Sequence, residues 1–159
     1  MRSKLYIVTY LLIALYSCKS DKAMKFSNTV VKKYKELLSQ AQLTDTKVKA
    51  FMESDNYDSI AVVAGEMENF ADQKLKEVEA LQIPDVNDAN GFKKAVIDYF
   101  TYIKSIYTEY KNLGMAKPGR ERQNAAQVVQ LVISNKDSVV AQMQKIQKAF
   151  AESNGFRIQ

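Results

Sequence analysis

The chain has 159 residues, 23 Lys and Arg against 18 Asp and Glu, one cysteine, and neither histidine nor tryptophan. Without histidine, the Glu-x-x-His di-metal sites of helical bundles, histidine triads and histidine–zinc chemistry are excluded in their usual forms; a lone cysteine excludes an internal disulfide. A net charge of +5 is too mild to argue for nucleic acid, and with 47% apolar residues, 5 Gly and 2 Pro the chain reads as largely ordered.

Arg2 and Lys4 lead into an uncharged apolar run over residues 5–15. A membrane-crossing helix needs roughly 20 apolar residues, so this run is too short to span. It fits the apolar region of a secretory signal, with the small residue Ser17 just before the expected cut. Leu15, Ser17 and Cys18 resemble the −3, −1 and +1 positions of the lipobox of bacterial lipoproteins, with Tyr16 bulkier than usual at −2. The resemblance implies that the Cys18 thiol takes a diacylglyceryl group, that residues 1–17 are removed, and that the new amine is acylated with a fatty acid such as palmitate. One acyl chain binds membranes marginally, whereas two or more anchor stably. Membrane lipid, held through acylated Cys18, is therefore the first expected partner.

Residues 18–26 then read as a lipidated polar tether, and residues 27–159 as the folded domain. At ~3.3 Å per residue, the stretch 19–25 reaches at most about 25 Å. Lys19, Lys22, Lys25, Lys32, Lys33 and Lys35 crowd this end. Two readings stand for them: contact with anionic headgroups, at about 1 kcal/mol each, or a solvated helix face.

The first helix is expected from Ser27 or Asn28, both good N-caps, to about Met52. Its apolar seam is Val30, Tyr34, Leu37, Ala41, Val48 and Phe51, with Thr44 as a polar member. An acidic turn over 53–58 follows. The second helix runs to about Leu81 with Ile60, Val63, Met67, Phe70, Leu75 and Val78 on one side, and Pro84 stops it. A loop rich in turn formers covers 85–91.

The third helix, from about Phe92 to Leu113, has the strongest pattern. Phe92, Val96, Tyr99, Ile103, Ile106, Tyr110 and Leu113 step by four and three, and Ala95, Phe100 and Tyr107 widen the face. Gly114 is its expected stop. A basic turn over 115–122 leads to the longest helix, about 122–153, seamed by Ala125, Val129, Val132, Val139, Met143, Ile146 and Phe150. Lys136 interrupts that seam, and the polar stretch 135–138 is a midpoint at which the helix is expected either to kink or to fray.

Four amphipathic helices joined by short turns predict an all-α, up-down-up-down four-helix bundle. Connectivity then fixes the ends. The 84–91 loop and the C-terminal tail lie at the end nearest Cys18, while the acidic 53–58 and basic 115–122 turns lie together at the far end.

No residue pattern singles out a catalytic group, a metal site or a cofactor, and the chain is expected not to be an enzyme. Tyr102 and Tyr107, within the tyrosine cluster of the third helix, either pack as ring bodies with their hydroxyls directed outward or line an aromatic cleft for an apolar or carbohydrate ligand. Lys117, Arg120 and Arg122 either form a solvated loop or hold an acidic ligand or an envelope protein partner.

The segments Tyr99-Phe100, Lys104, Glu109-Tyr110, Gln147, Phe150-Ala151 and Gly155-Phe156 resemble a group of small uncharacterised helical-bundle lipoproteins of Gram-negative bacteria. That resemblance implies an outer-membrane anchor, periplasmic or surface-facing, and no known activity. The expectation is a non-enzymatic binding or scaffold lipoprotein. An envelope chaperone holding apolar client segments is the alternative, and a carboxylate hydrolase a third.

Overall fold

The structure is a computed structural model that describes the backbone of residues 3–158 and the side chains of residues 19–158. The side chains of the expected leader and of Cys18 lie outside the described residues, as does any processing there. Five helices follow one another: α1 Ser3–Glu53, α2 Tyr57–Glu79, α3 Ala89–Met115, α4 Arg120–Ser134 and α5 Lys136–Ser153. Among the described residues there is no strand, and no helix is long and apolar enough to cross a membrane.

The chain folds as the expected all-α four-helix bundle, with α4 and α5 together forming its fourth limb. The α2 and α3 helices make the most intimate pair; α1 packs on α2, and α4 and α5 pack on α3. The inner face of α3 is nearly the one its periodicity predicts. Phe92, Ala95, Val96, Tyr99, Phe100, Ile103, Ile106, Tyr107 and Leu113 are buried, and only Tyr110 of the expected set sits at the margin.

The inner line of α2 agrees with expectation at Ile60, Met67 and Val78 and differs between them. Ile60, Ala64, Met67, Ala71 and Val78 are its buried residues, while Val63, Phe70 and Leu75 sit on the flanks. Small residues on the inner line let the backbones of α2 and α3 come close, and bulky side chains there would hold them apart. Gly114 shows this most sharply. It is not a left-handed stop, because α3 continues to Met115; instead, a Cβ at Gly114 would overlap the backbone nitrogen and Cα of Ala61.

The expected tether is also helical. α1 runs without interruption through 18–26, and Ala23, Phe26, Ser27 and Val30 are buried at helical spacing against the bundle. Ser27 is therefore a core residue rather than an N-cap. The polar lysines around it mask this pattern, because they occupy the outer face of the same helix.

The turns fall near where expected, except that α3 begins at Ala89, so residues 89–91 of the expected loop are helical. Asp55 and Asp88 adopt left-handed backbone, which short polar side chains tolerate, and the Asn56 side chain accepts the Ser59 N–H at the start of α2. The fourth limb breaks at Asn135, beside Lys136. There the Asn135 N–H turns back to the Val132 carbonyl in a tighter turn, and the Tyr102 hydroxyl donates to that same carbonyl at 2.9 Å. Kinks form where a side chain inserts into the helical ladder in this way. α5 ends at Asn154 and Gly155, whose positive φ lets Phe156 N–H reach back to the Ala151 carbonyl.

Two sets of contacts fix the ends. At one, Asn87 and Asn154 exchange hydrogen bonds between the α2–α3 loop and the end of α5. At the other, the Arg122 guanidinium lies 3.8 Å from the Tyr57 ring centre. Alanine at Gly114 is expected to destabilise the fold by about 1–3 kcal/mol through overpacking. Gly91→Ala, at a helical position where nothing lies within 4 Å of an added Cβ, should instead stabilise by about 0.5–1 kcal/mol. Thermal melts of the two variants check both signs.

Candidate functional site

The sequence-predicted residues fall into two separate places. Tyr107 points from α3 toward α1, and its hydroxyl donates to Asp45 Oδ1 at 2.8 Å and lies 3.1 Å from the Ala41 carbonyl oxygen. Tyr102 points toward the fourth limb and caps the Val132 carbonyl at its break. Tyr99 packs on Tyr34 and Phe100, and Tyr110 on Tyr107. Burial, reinforced at Tyr107 by the Asp45 carboxylate, pushes the phenols of Tyr99 and Tyr107 above the ordinary tyrosine range. Burial also raises Tyr102 and Tyr110. These rings fill the space between α1, α3 and the fourth limb, and the hydroxyls of Tyr102 and Tyr107 bond within the fold.

Lys117, Arg120 and Arg122 belong to the distal turn. Arg122 is held in place: it stacks on Tyr57 and donates to the Ala116 carbonyl at 2.9 Å. That contact joins the acidic and basic turns. Lys117 and Arg120 stay exposed beside Met115, which is 67% exposed. Tyr102 and Tyr107 are not drawn into this surface.

What the sequence reading missed is a rail of charge pairs along α2. Lys33 bonds Glu77 and Glu36 bonds Lys74, both at 2.7 Å, tying α1 to α2. On the other side, Lys104 pairs with Asp72, and Lys111 with Glu68, which also accepts the Thr108 hydroxyl. The carboxylates at 36, 68, 72 and 77 thus face lysines rather than one another. Among the described residues, no group of three or more acidic or cysteine side chains is placed to hold a metal ion. A shallow surface depression lies along one side of α2, lined by Asn69, Asp72, Gln73 and Lys76, and is open to solvent.

Hydrogen bonds from Lys104 and Lys76 hold the Asp72 carboxyl down to about 2, and the Lys111 bond lowers Glu68. A carboxyl lowered on folding stabilises the fold above its unfolded value, near 3.8 for Asp72, and this contribution is lost as pH falls through about 2. The urea midpoint should therefore drop as the pH is lowered across that window. Asp72→Asn should flatten the drop, and parallel profiles for wild type and variant would contradict the assignment. Tyr107→Phe removes the hydroxyl that donates to Asp45 and is expected to cost about 1–2 kcal/mol in denaturant unfolding.

No protein-family model, curated protein or solved structure matches this chain.

Proposed function

We propose that this chain is an envelope lipoprotein, held in the outer membrane of a Gram-negative bacterium through acylated Cys18. Its bundle then acts as a non-enzymatic binding or scaffold module that meets a protein partner at the end far from the anchor. The observation that supports this reading is the distal turn. Arg122, fixed between Tyr57 and the Ala116 carbonyl, stiffens a tip on which Met115 is two-thirds exposed beside the cations Lys117 and Arg120. An apolar centre with a charged rim is the usual anatomy of a contact surface.

The chaperone alternative has its own observation. Val128 and Leu131 lie about one turn apart on the outside of α4, at 41% and 67% exposure, on a helix whose one buried residue is Val129. Exposed apolar side chains are ordinary at both places, so what sets the tip apart is the fixed Arg122 and the two cations beside Met115.

Metabolic labelling with palmitate should mark the wild-type protein and not Cys18→Ala. A photo-crosslinking residue at Met115 or Arg120, in the full chain in its native envelope, should give one discrete adduct that is absent at the exposed Gln144 of α5. Many adducts concentrated at Val128 and Leu131 would favour the chaperone; none above the Gln144 background would refute both readings.

A further inference from the structure

We infer that the outward face of α4 pairs with the same face of a second copy of this chain, the two helices running in the same direction. Residues 123–135 contain no charged side chain, the longest such run after Cys18. The outer faces of α1, α2 and α3 carry exposed charge instead, Lys47, Glu66 and Lys94 among them. Burial does not account for the difference, because Val129 is the one buried residue of α4 and most of the run is exposed. Depletion of charge on an exposed surface is the compositional mark of the centre of an interface.

The uncharged residues form one face by helix geometry. Asn124, Val128, Leu131 and Asn135 step by four, three and four, with Gln127 beside them, and residues at these spacings are neighbours on a helix. Asn135 still has helical backbone where it closes α4. All five are exposed. The face thus has an apolar centre, Val128 and Leu131, between amides.

Symmetry decides the occupant. Acylated Cys18 stands every copy on the bilayer by the same end, a step that rests on the anchor proposed above, so neighbouring α4 helices run parallel. In a parallel twofold pair, each residue near the axis meets its own copy. A charge there would face itself and repel. An amide donates and accepts at once, and Val or Leu packs on its like. An Asn set opposite its own copy also fixes the register of parallel helices. The absence of charge, with Asn124 and Asn135 on either side of Val128 and Leu131, is the composition that this arrangement requires. An apolar client would leave the amides of Asn124 and Gln127 unpartnered, and a charged partner finds no counter-charge on this face.

Size adds a condition. The line from Asn124 to Asn135 is about 16 Å long at 1.5 Å per residue. A strip of that length, one helix wide, covers far less than the roughly 800 Å² per partner of a stable interface. The pair is therefore weak between free molecules. It depends on the anchor, which confines the copies to one surface and raises their effective concentration.

Acylation of Cys18 leaves no other thiol in the chain, so an introduced cysteine is a unique handle. In the full chain, matured in its native envelope, a short bis-maleimide should join Leu131→Cys, and separately Asn124→Cys, into a dimer. The yield should exceed several-fold that of Gln130→Cys, which is exposed on the other side of α4. Adding Asn124→Lys to Leu131→Cys should cut the dimer back to the Gln130 level while the thermal melt stays unchanged. Equal yields at all three positions on membrane-bound, palmitate-labelled protein would overturn the pairing and leave the anchor standing. A mixed dimer of Asn124→Cys with Asn135→Cys on differently tagged chains, in place of either with its own copy, would overturn it in favour of an antiparallel contact. A parent chain that is itself joined through a free Cys18 would overturn the anchor reading and this inference with it.

Discussion

The close approach of α2 and α3 is the constraint on which the rest of the molecule depends. Gly114 against Ala61, with Ala64 and Ala71 along the inner line of α2, brings two helices together at a spacing that larger residues would forbid. That spacing puts Glu68 and Asp72 within reach of Lys111 and Lys104, so the flanking ion pairs follow from the backbone distance. Partly exposed pairs of this kind add little stability; their main effect is on register. α1 then uses the opposite flank of α2, where Lys33 and Glu36 find Glu77 and Lys74.

The legibility of each helix followed from how its buried line is written. On α3 the line is carried by large aromatic and branched residues, and its face was readable almost residue by residue. On α2 the sequence pointed correctly to Ile60, Met67 and Val78, but two members of the line are alanines, which contribute little hydropathy, so it pointed to Val63 and Phe70 where the contact runs through Ala64 and Ala71. The start of α1 was hidden for a different reason. Ala23 and Phe26 belong to a short stretch interleaved with lysines, and Ser27 imitates a cap while lying in the core. The break at Asn135 was legible because Lys136 sits where the seam needs an apolar residue.

At the level of the site, topology was readable and side-chain commitments were not. Counting helices was enough to place the acidic and basic turns together, as the Arg122–Tyr57 contact shows. Nothing in the sequence distinguishes Arg122, spent on the Tyr57 ring and the Ala116 carbonyl, from Arg120, which is free to face outward. The same holds for Tyr102 and Tyr107. Whether a phenol binds a ligand or a backbone carbonyl depends on where a kink exposes that carbonyl and on how near α1 comes, and both are tertiary facts.

The break in the fourth limb has a consequence for how the molecule opens. The buried residues of α4 and α5 are only Val129, Phe150 and Ala151, and polar fastenings secure the limb at its start, middle and end through Arg122, Tyr102 and Asn154. Stability is then unevenly distributed: segments with few buried contacts open at a fraction of the global free energy, as cooperative units. The fourth limb forms such a unit, and the α2–α3 pair forms the part that remains. A partner that grips α4 would therefore meet a surface whose order it can raise or lower without unfolding the remainder of the bundle.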